Sequence, residues 1–152
     1  MGCMVNLRNI FATTCFVTFL LAVSAGYGAD YKSGVTARVL GKSMVTGNGS
    51  RISYPGTDKA EVTLVDVELA PGVETGWHKH PVPVYAYVVS GSIAVELKNG
   101  MKRTYAAGDV IFEVVDTLHN GKNTGTVPVK MTVIYLGAEG TPNVVKAAPD
   151  KQ

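Results

Sequence analysis

The sequence is poor in charge and has almost no cysteine. Charged residues make up 17% of its 152 residues, below the quarter that is ordinary for globular proteins, and no stretch concentrates one sign. With a formal net charge of +2, the chain has no basic stripe for a nucleic acid, so we expect no nucleic-acid partner. The two cysteines are Cys3 and Cys15, and their position near the N terminus excludes a disulfide framework for the rest of the chain.

Only one long apolar run is present, and it lies at the N terminus. The run from Ile10 to Val23 follows Arg8 and precedes a stretch of small residues, which is the order of a secretory signal peptide. It is about fourteen residues long, shorter than the roughly twenty that span a bilayer, so an uncleaved anchor is the less favoured alternative. We predict a signal peptide at residues 1–28, cleaved between residues 25 and 29, with export to the periplasm or the medium. We expect no stable membrane anchor after cleavage.

Residues 29–152 are expected to form a single all-β domain. Between residues 92 and 98, Ile93, Val95 and Leu97 alternate with polar or small residues, as in a half-buried strand. The same reasoning predicts extended segments at 36–45, 61–69, 84–89, 92–98, 102–105, 110–115 and 129–136. Turn residues separate these segments, with Asn99-Gly100 the strongest hairpin signal. No amphipathic helix is indicated after the signal, so an antiparallel sandwich or barrel is expected, with a C-terminal tail that runs over the surface.

The chain has three histidines, and their positions suit one metal ion. Residues two apart in a strand point to the same face, so His78 and His80 are expected to share a side. His119 follows the predicted strand at 110–115, on a segment that a barrel can fold back beside the first pair. Neutral imidazole is a common ligand of transition metals. The alternative is a solvated His-x-His edge that binds nothing.

The spacing around the histidines resembles the two motifs of the cupin superfamily. Gly72, five residues, His78-Lys79-His80 and, ten residues later, Gly91 match the first motif, whereas Gly108, His119 and Asn123 match the second. The matches cover residues 72–123. The resemblance implies an antiparallel double-stranded β-helix, the jelly-roll or cupin barrel, with the three histidines converging in its mouth. It also implies a small-molecule ligand or substrate and makes a homodimer plausible.

Three positions depart from the family pattern. Val84 stands where cupins usually carry a glutamate ligand, and Val114 and Asp116 replace the usual proline and glycine before the second-motif histidine. Three neutral imidazoles leave a divalent metal with its full charge, which favours an anionic bidentate ligand such as an enolate, a thiolate-carboxylate or a catecholate. Three-histidine cupins include dioxygenases, so the resemblance implies an oxygenase. Fe(II) is the favoured metal, with Zn, Cu, Mn or Ni as alternatives.

Catalytic residues beside the histidines are less well indicated. The candidates are Glu113, as a pocket acid, base or partner of a ligand, and Tyr85, because it adjoins the position of the missing glutamate. Glu74 shares strand parity with His78, but a solvated carboxylate is the favoured interpretation. Asn123 is expected to cap a turn.

The leading hypothesis is an exported metal-dependent oxygenase; the alternatives are a non-catalytic cupin that binds or senses a ligand or a metal, and a barrel whose histidines bind nothing.

Overall fold

The computed structural model describes residues 32–148, so the predicted signal peptide lies outside the described residues. Nine strands occur in this part of the chain: β1 (Ala60–Leu69), β2 (His78–Lys79), β3 (Val84–Ser90), β4 (Ser92–Leu97), β5 (Lys102–Ala106), β6 (Val110–Phe112), β7 (His119–Asn123), β8 (Val129–Ala138) and β9 (Val145–Lys146). Residues 32–148 contain no helix, and hence none long and apolar enough to cross a bilayer.

The strands form two antiparallel sheets. One has four strands in the order β1-β8-β3-β6, and the other has five in the order β5-β4-β7-β2-β9. Neighbours in each sheet are mostly distant in sequence, as in a jelly roll, where the chain passes repeatedly from one sheet to the other. The predicted all-β jelly-roll barrel is therefore confirmed.

The core lies between the two sheets and follows from period-two alternation. Along β8 the residues Val129, Met131, Val133 and Tyr135 are buried, while the residues between them are more exposed. They pack against buried residues of β3 and β4 in one apolar cluster. Because strand side chains alternate between faces, this pattern fixes which residues line the barrel interior.

The Asn99-Gly100 hairpin forms as the sequence predicts. β4 and β5 pair along their length, and the amide of Leu97 donates to the carbonyl of Met101 at 2.8 Å. Gly100 has a φ of 85°, a conformation that glycine adopts without a Cβ penalty. The side chain of Asn99 accepts a hydrogen bond from the amide of Met101 at 3.0 Å, which completes the turn.

The predicted strand at 36–45 is wrong. In this segment only Val45 takes part in a bridge, an isolated one with Arg51. Two residues beyond the segment, the amide of Gly47 donates to the carbonyl of Phe112 at the end of β6, at 2.8 Å. Gly41 lies against the side chains of β6, where an added Cβ would be 3.0 Å from Cβ of Val110 and 3.3 Å from the ring of Phe112, so the segment packs on these side chains and does not pair with the strand. The segment's large apolar side chains stay 39–68% exposed; they belong to Val39, Leu40, Met44 and Val45.

The C-terminal tail also differs from the prediction, because it joins a sheet instead of only crossing the surface. β9 pairs with β2, placing Lys146 opposite His78, and the side chain of Asn143 donates to the hydroxyl of Thr63 at 3.1 Å. Hydrogen bonds therefore hold the tail through residue 146 against the barrel, next to the first histidine.

Asn123 caps a turn, as expected, and is fully buried. Its amide nitrogen donates to the carbonyls of Leu69 and Val127, each at 2.9 Å, and its oxygen accepts from the amide of Gly125 at 2.9 Å. The side chain thus connects β7, the end of β1 and the loop that leads to β8 through buried hydrogen bonds.

We expect Asn123→Ala to lower the free energy of unfolding by about 3 kcal/mol, because it leaves buried backbone groups without partners. Chemical denaturation measures the change. Asn99→Ala is the matched control, since its exposed side chain makes one turn contact, and we expect it to cost less than about 1 kcal/mol. Equal losses in the two variants would contradict the proposed role of Asn123.

Candidate metal centre

The three histidines come from two neighbouring strands and the residue just beyond one of them. β2 pairs with β7 so that His78 lies directly opposite His119, and the bridge between His80 and Val115 holds the third ring beside them. One ligand nitrogen from each ring lies within 4.8 Å of the other two. The imidazoles are edge-on or tilted towards one another, with centroids 4.4 to 5.0 Å apart. The structure therefore brings together all three histidines that the spacing indicated.

Each imidazole is oriented by a backbone carbonyl. Nδ1 of His78 donates to the carbonyl of Gly76 at 2.8 Å, and Nδ1 of His80 donates to that of Asn143 at 2.8 Å. Nδ1 of His119 donates to the carbonyl of Thr117 at 2.9 Å. Because a carbonyl can only accept, Nδ1 carries the proton in each ring and Nε2 keeps its lone pair. Metal-binding histidines are typically fixed in this way through their second ring nitrogen.

The electrostatics also suit a metal. Desolvation by burial lowers the pKa of all three histidines below the ordinary value, and it lowers the pKa of His80 to about 4. The rings are therefore neutral near pH 7, the form in which imidazole binds metals. Nε2 of His119 is buried and has no hydrogen-bond partner in residues 32–148. A buried polar atom without a partner is costly, and a metal ion would remove that cost.

The histidines line a cavity of about 70 Å³ inside the barrel. Its remaining walls are mainly apolar and come from both sheets; they include Val84, Ala86, Val95, Met131 and Val133. Thr75, Glu113 and Tyr135 are the other residues with polar side chains on its surface. The cavity is thus a small, mostly apolar chamber with its polar groups concentrated around the three rings.

Glu113 is the candidate acid that the structure places in this cavity. It follows β6 immediately, and its Oε2 lies 3.6 Å from Nε2 of His119, with the side chain only 13% exposed. Desolvation by burial raises the pKa of the Glu113 carboxyl to about 7, an effect that the nearby His78 partly opposes. A carboxyl group with a strongly perturbed pKa in a cleft is a recognised mark of a functional site.

Tyr85 and Glu74 do not line the cavity of the three histidines. Val84 points into the cavity with 1% exposure, so Tyr85, the next residue of β3, faces the other side of the sheet. Its hydroxyl donates to that of Tyr54 at 3.1 Å, and it is not part of the cavity wall. Glu74 pairs with Lys122 at 2.6 Å, on the outside, in agreement with the interpretation as a solvated carboxylate.

The altered position before the second-motif histidine is accommodated by local geometry. Asp116 stands where cupins usually have glycine, and it has a φ of 49°. Aspartate tolerates this left-handed conformation better than most residues. Its amide donates to the carbonyl of His80 at 2.8 Å, and its carboxylate pairs with Lys79 at 2.9 Å. The departure from the pattern therefore leaves the turn that leads to His119 intact.

The sequence did not indicate the contribution of the tail to the site. Asn143 holds the ring of His80 through its carbonyl, 63 residues further along the chain. Every residue has a carbonyl, so no side-chain pattern marks this contact. Only the pairing of β9 with β2 brings it to the histidine.

A family model described as the cupin domain matches residues 65–135, which include both histidine motifs. This chain contains a cupin domain. Its fold is similar to that of the polyketide cyclase RemF from Streptomyces resistomycificus, with a TM-score of 0.51, 18% identity, and coverage of 66% of this cupin and 79% of that chain. The DMSP lyase DddQ from Ruegeria pomeroyi DSS-3 gives a TM-score of 0.50 and 20% identity over 70% of this cupin and 51% of that chain.

A cupin domain from Bordetella pertussis Tohama I is matched over 99% of its own length and 57% of this cupin, with 21% identity and a TM-score of 0.46. At these identities the similarities concern the fold. No curated protein matches the sequence significantly.

Proposed function

We propose that this cupin binds one divalent transition metal through Nε2 of His78, His80 and His119 and acts as an oxygenase on a small anionic chelating substrate. The observation that carries the proposal is the arrangement of the three rings. Their Nδ1 atoms are all held by carbonyls, and their remaining ring nitrogens share one cavity. A donor set of three neutral imidazoles suits iron, zinc, copper or nickel better than magnesium or calcium.

Fe(II) is the metal that we favour. When bound, it supplies Lewis acidity and electron transfer, the parts of oxygenase chemistry for which the side chains of this chain have no substitute. The protein contributes position and environment. The backbone carbonyls hold the rings, and the apolar walls of the cavity exclude bulk water from the reacting groups.

The cavity limits the size of the substrate. A volume of about 70 Å³ has room for a few water-sized groups, so only a small molecule, or the chelating end of a larger one, fits beside the histidines. The positive charge of a bound metal favours an anionic ligand, such as an enolate, a thiolate-carboxylate or a catecholate. Hydrophobic walls strengthen this attraction because they lower the local dielectric.

The fold does not decide the reaction. A polyketide cyclase and a DMSP lyase share it, and cupins place different chemistries on one scaffold. Export is also part of the proposal, because it rests on the apolar run that precedes residue 24. A homodimer is likewise part of the proposal, and it rests on the resemblance to the cupin family.

We expect the mature protein, purified without a histidine tag, to contain near-stoichiometric iron and to consume oxygen with a small chelating anion. Elemental analysis and an oxygen electrode measure these, with a β-diketone, a thiol-carboxylate and a catechol as candidate substrates. The double variant His78→Ala/His80→Ala is the control and should lose both properties. Chelators that bind the loaded protein without oxygen uptake would instead indicate a non-catalytic binding cupin. Zinc or copper in place of iron would argue against the oxygenase.

A further inference from the structure

Glu113 has an unusual environment for a carboxylate. Its side chain is 13% exposed, and within residues 32–148 its carboxylate accepts no hydrogen bond. Its Oε2 lies 3.6 Å from Nε2 of His119. Burying a carboxylate without hydrogen bonds or a counter-charge is costly. The three rings around the cavity are neutral, so the described part of the protein supplies no cation to offset that cost. A metal ion among the rings would supply one.

The distance between the groups fits a shared metal. Oε2 of Glu113 lies 3.6 Å from Nε2 of His119. Two ligand atoms on one tetrahedral metal, each about 2.1 Å from it, lie about 3.4 Å apart. Glu113 belongs to the wall of the same cavity as all three histidines. Among the described residues, the cluster of ligand atoms within 4.8 Å of one another consists of the three histidine nitrogens, and the Glu113 carboxylate borders that cluster at His119.

The position of Glu113 also explains how Val84 is tolerated. The usual cupin glutamate would come from β3, where Val84 now fills the cavity wall. β6 pairs directly with β3, and the amide of Glu113 donates to the carbonyl of Val84 at 3.0 Å. The two residues are therefore neighbours across adjacent strands, and a carboxylate from one can reach the space that a carboxylate from the other would occupy.

We propose that Glu113 is a fourth protein ligand of the metal, replacing the carboxylate that Val84 lacks. This inference rests on the proposed metal site and deepens it. A Glu113 carboxylate reduces the net charge of a divalent centre to that of the usual cupin site. The centre is then of the three-histidine, one-carboxylate type, assembled from a different strand.

Glu113→Gln is the first test, because glutamine keeps the size and removes the charge. Zn(II) affinity is measured by competition with a chromophoric chelator, and Co(II) serves as the spectroscopic probe. We expect at least about a tenfold loss of Zn(II) affinity and a changed Co(II) d–d spectrum. Without metal, the variant is expected to unfold at the same temperature as the parent or higher, since it loses an uncompensated buried charge. A purely structural role for Glu113 would lower that temperature.

Relocating the carboxylate is the second test. Val84→Glu in the Glu113→Gln background should recover most of the lost affinity, whereas Val84→Gln in the same background, matched in size and uncharged, should not. Unchanged Zn(II) affinity in Glu113→Gln would overturn the inference while the three-histidine site stands. A weakened affinity with an unaltered Co(II) spectrum would also overturn it, because the carboxylate then acts from outside the coordination shell. If the parent protein binds no metal, the proposed function itself fails.

Discussion

His119→Ala is expected to abolish stoichiometric metal binding while the barrel still folds. His119 is 2% exposed and lies at the junction of the other two rings and Glu113. Its removal takes away the ring that contacts both other histidines and Glu113, and leaves His78, His80 and the proposed Glu113 carboxylate as a weaker, incomplete ligand set. We expect the affinity for Zn(II) or Fe(II) to fall by at least about 100-fold. Loss of a residue that only hydrogen-bonds to a metal ligand typically costs about 10- to 100-fold, and loss of the ligand itself costs more.

Thermal unfolding with and without metal separates lost binding from lost folding. A metal at about 100 times its dissociation constant stabilises the folded state by about 2.7 kcal/mol, so the parent should gain several degrees in Tm when metal is added. His119→Ala should keep a cooperative transition and gain nothing. Lys122→Ala is the control on the same strand, because its exposed side chain pairs with Glu74 outside the cavity. It should respond to metal as the parent does. Equal metal-induced shifts in all three proteins would contradict the ligand assignment.

Gly91→Ala is expected to lower the free energy of unfolding more than Gly100→Ala, the other glycine-to-alanine substitution proposed. Gly91 joins β3 to β4 and has a φ of 75°. A Cβ built there would lie 2.7 Å from the carbonyl oxygen of Pro128 and 3.0 Å from Cα of Val129. Both neighbours are backbone atoms at the start of β8, so the clash cannot be relieved by a side-chain rotation. We expect a loss of about 3 kcal/mol, measured by chemical denaturation.

Gly100→Ala provides the comparison for Gly91. Gly100 also has a positive φ, 85°, but a Cβ there would meet nothing within 4 Å. Its replacement should cost only the conformational penalty, about 1 kcal/mol. If Gly91→Ala costs no more than Gly100→Ala, the close approach of residues 128 and 129 is not what requires glycine at position 91.

Local periodicity was sufficient to predict most of the barrel. β4 and the first half of β8, residues 129–133, alternate between apolar residues and polar or small ones, and a one-residue shift would expose their apolar side chains. The histidine site was predictable for a related reason. His78 and His80 share one face by strand parity, and the spacing of glycines and histidines resembled that of a family with a known barrel.

The placement of Glu113 could not be predicted in the same way. Between residues 110 and 115 both faces of the predicted strand are largely apolar, so alternation does not show which face is internal. Only the pairing of β6 with β3 places Ile111 in the core, and Glu113 has the same parity as Ile111. The strand moreover ends at Phe112, where the chain turns towards His119.

The predictions for the segment at 36–45 and for the C-terminal tail were wrong because they used local sequence alone. Strand formation there depends on whether a distant edge is free to pair, which a local pattern does not encode. The first segment passes over the side chains of Val110 and Phe112 at Gly41, whereas residues 145 and 146 pair with the edge of β2.

The use of backbone carbonyls to hold all three rings bears on how this site can change during evolution. A carboxylate partner is lost whenever its residue is replaced, but the carbonyls of Gly76, Thr117 and Asn143 survive any substitution that preserves the path of the main chain. Orientation of the ligands is thereby separated from the identity of the neighbouring side chains. Lineages descended from this protein can alter the cavity walls, and with them the choice of substrate, without first re-establishing the support of the metal.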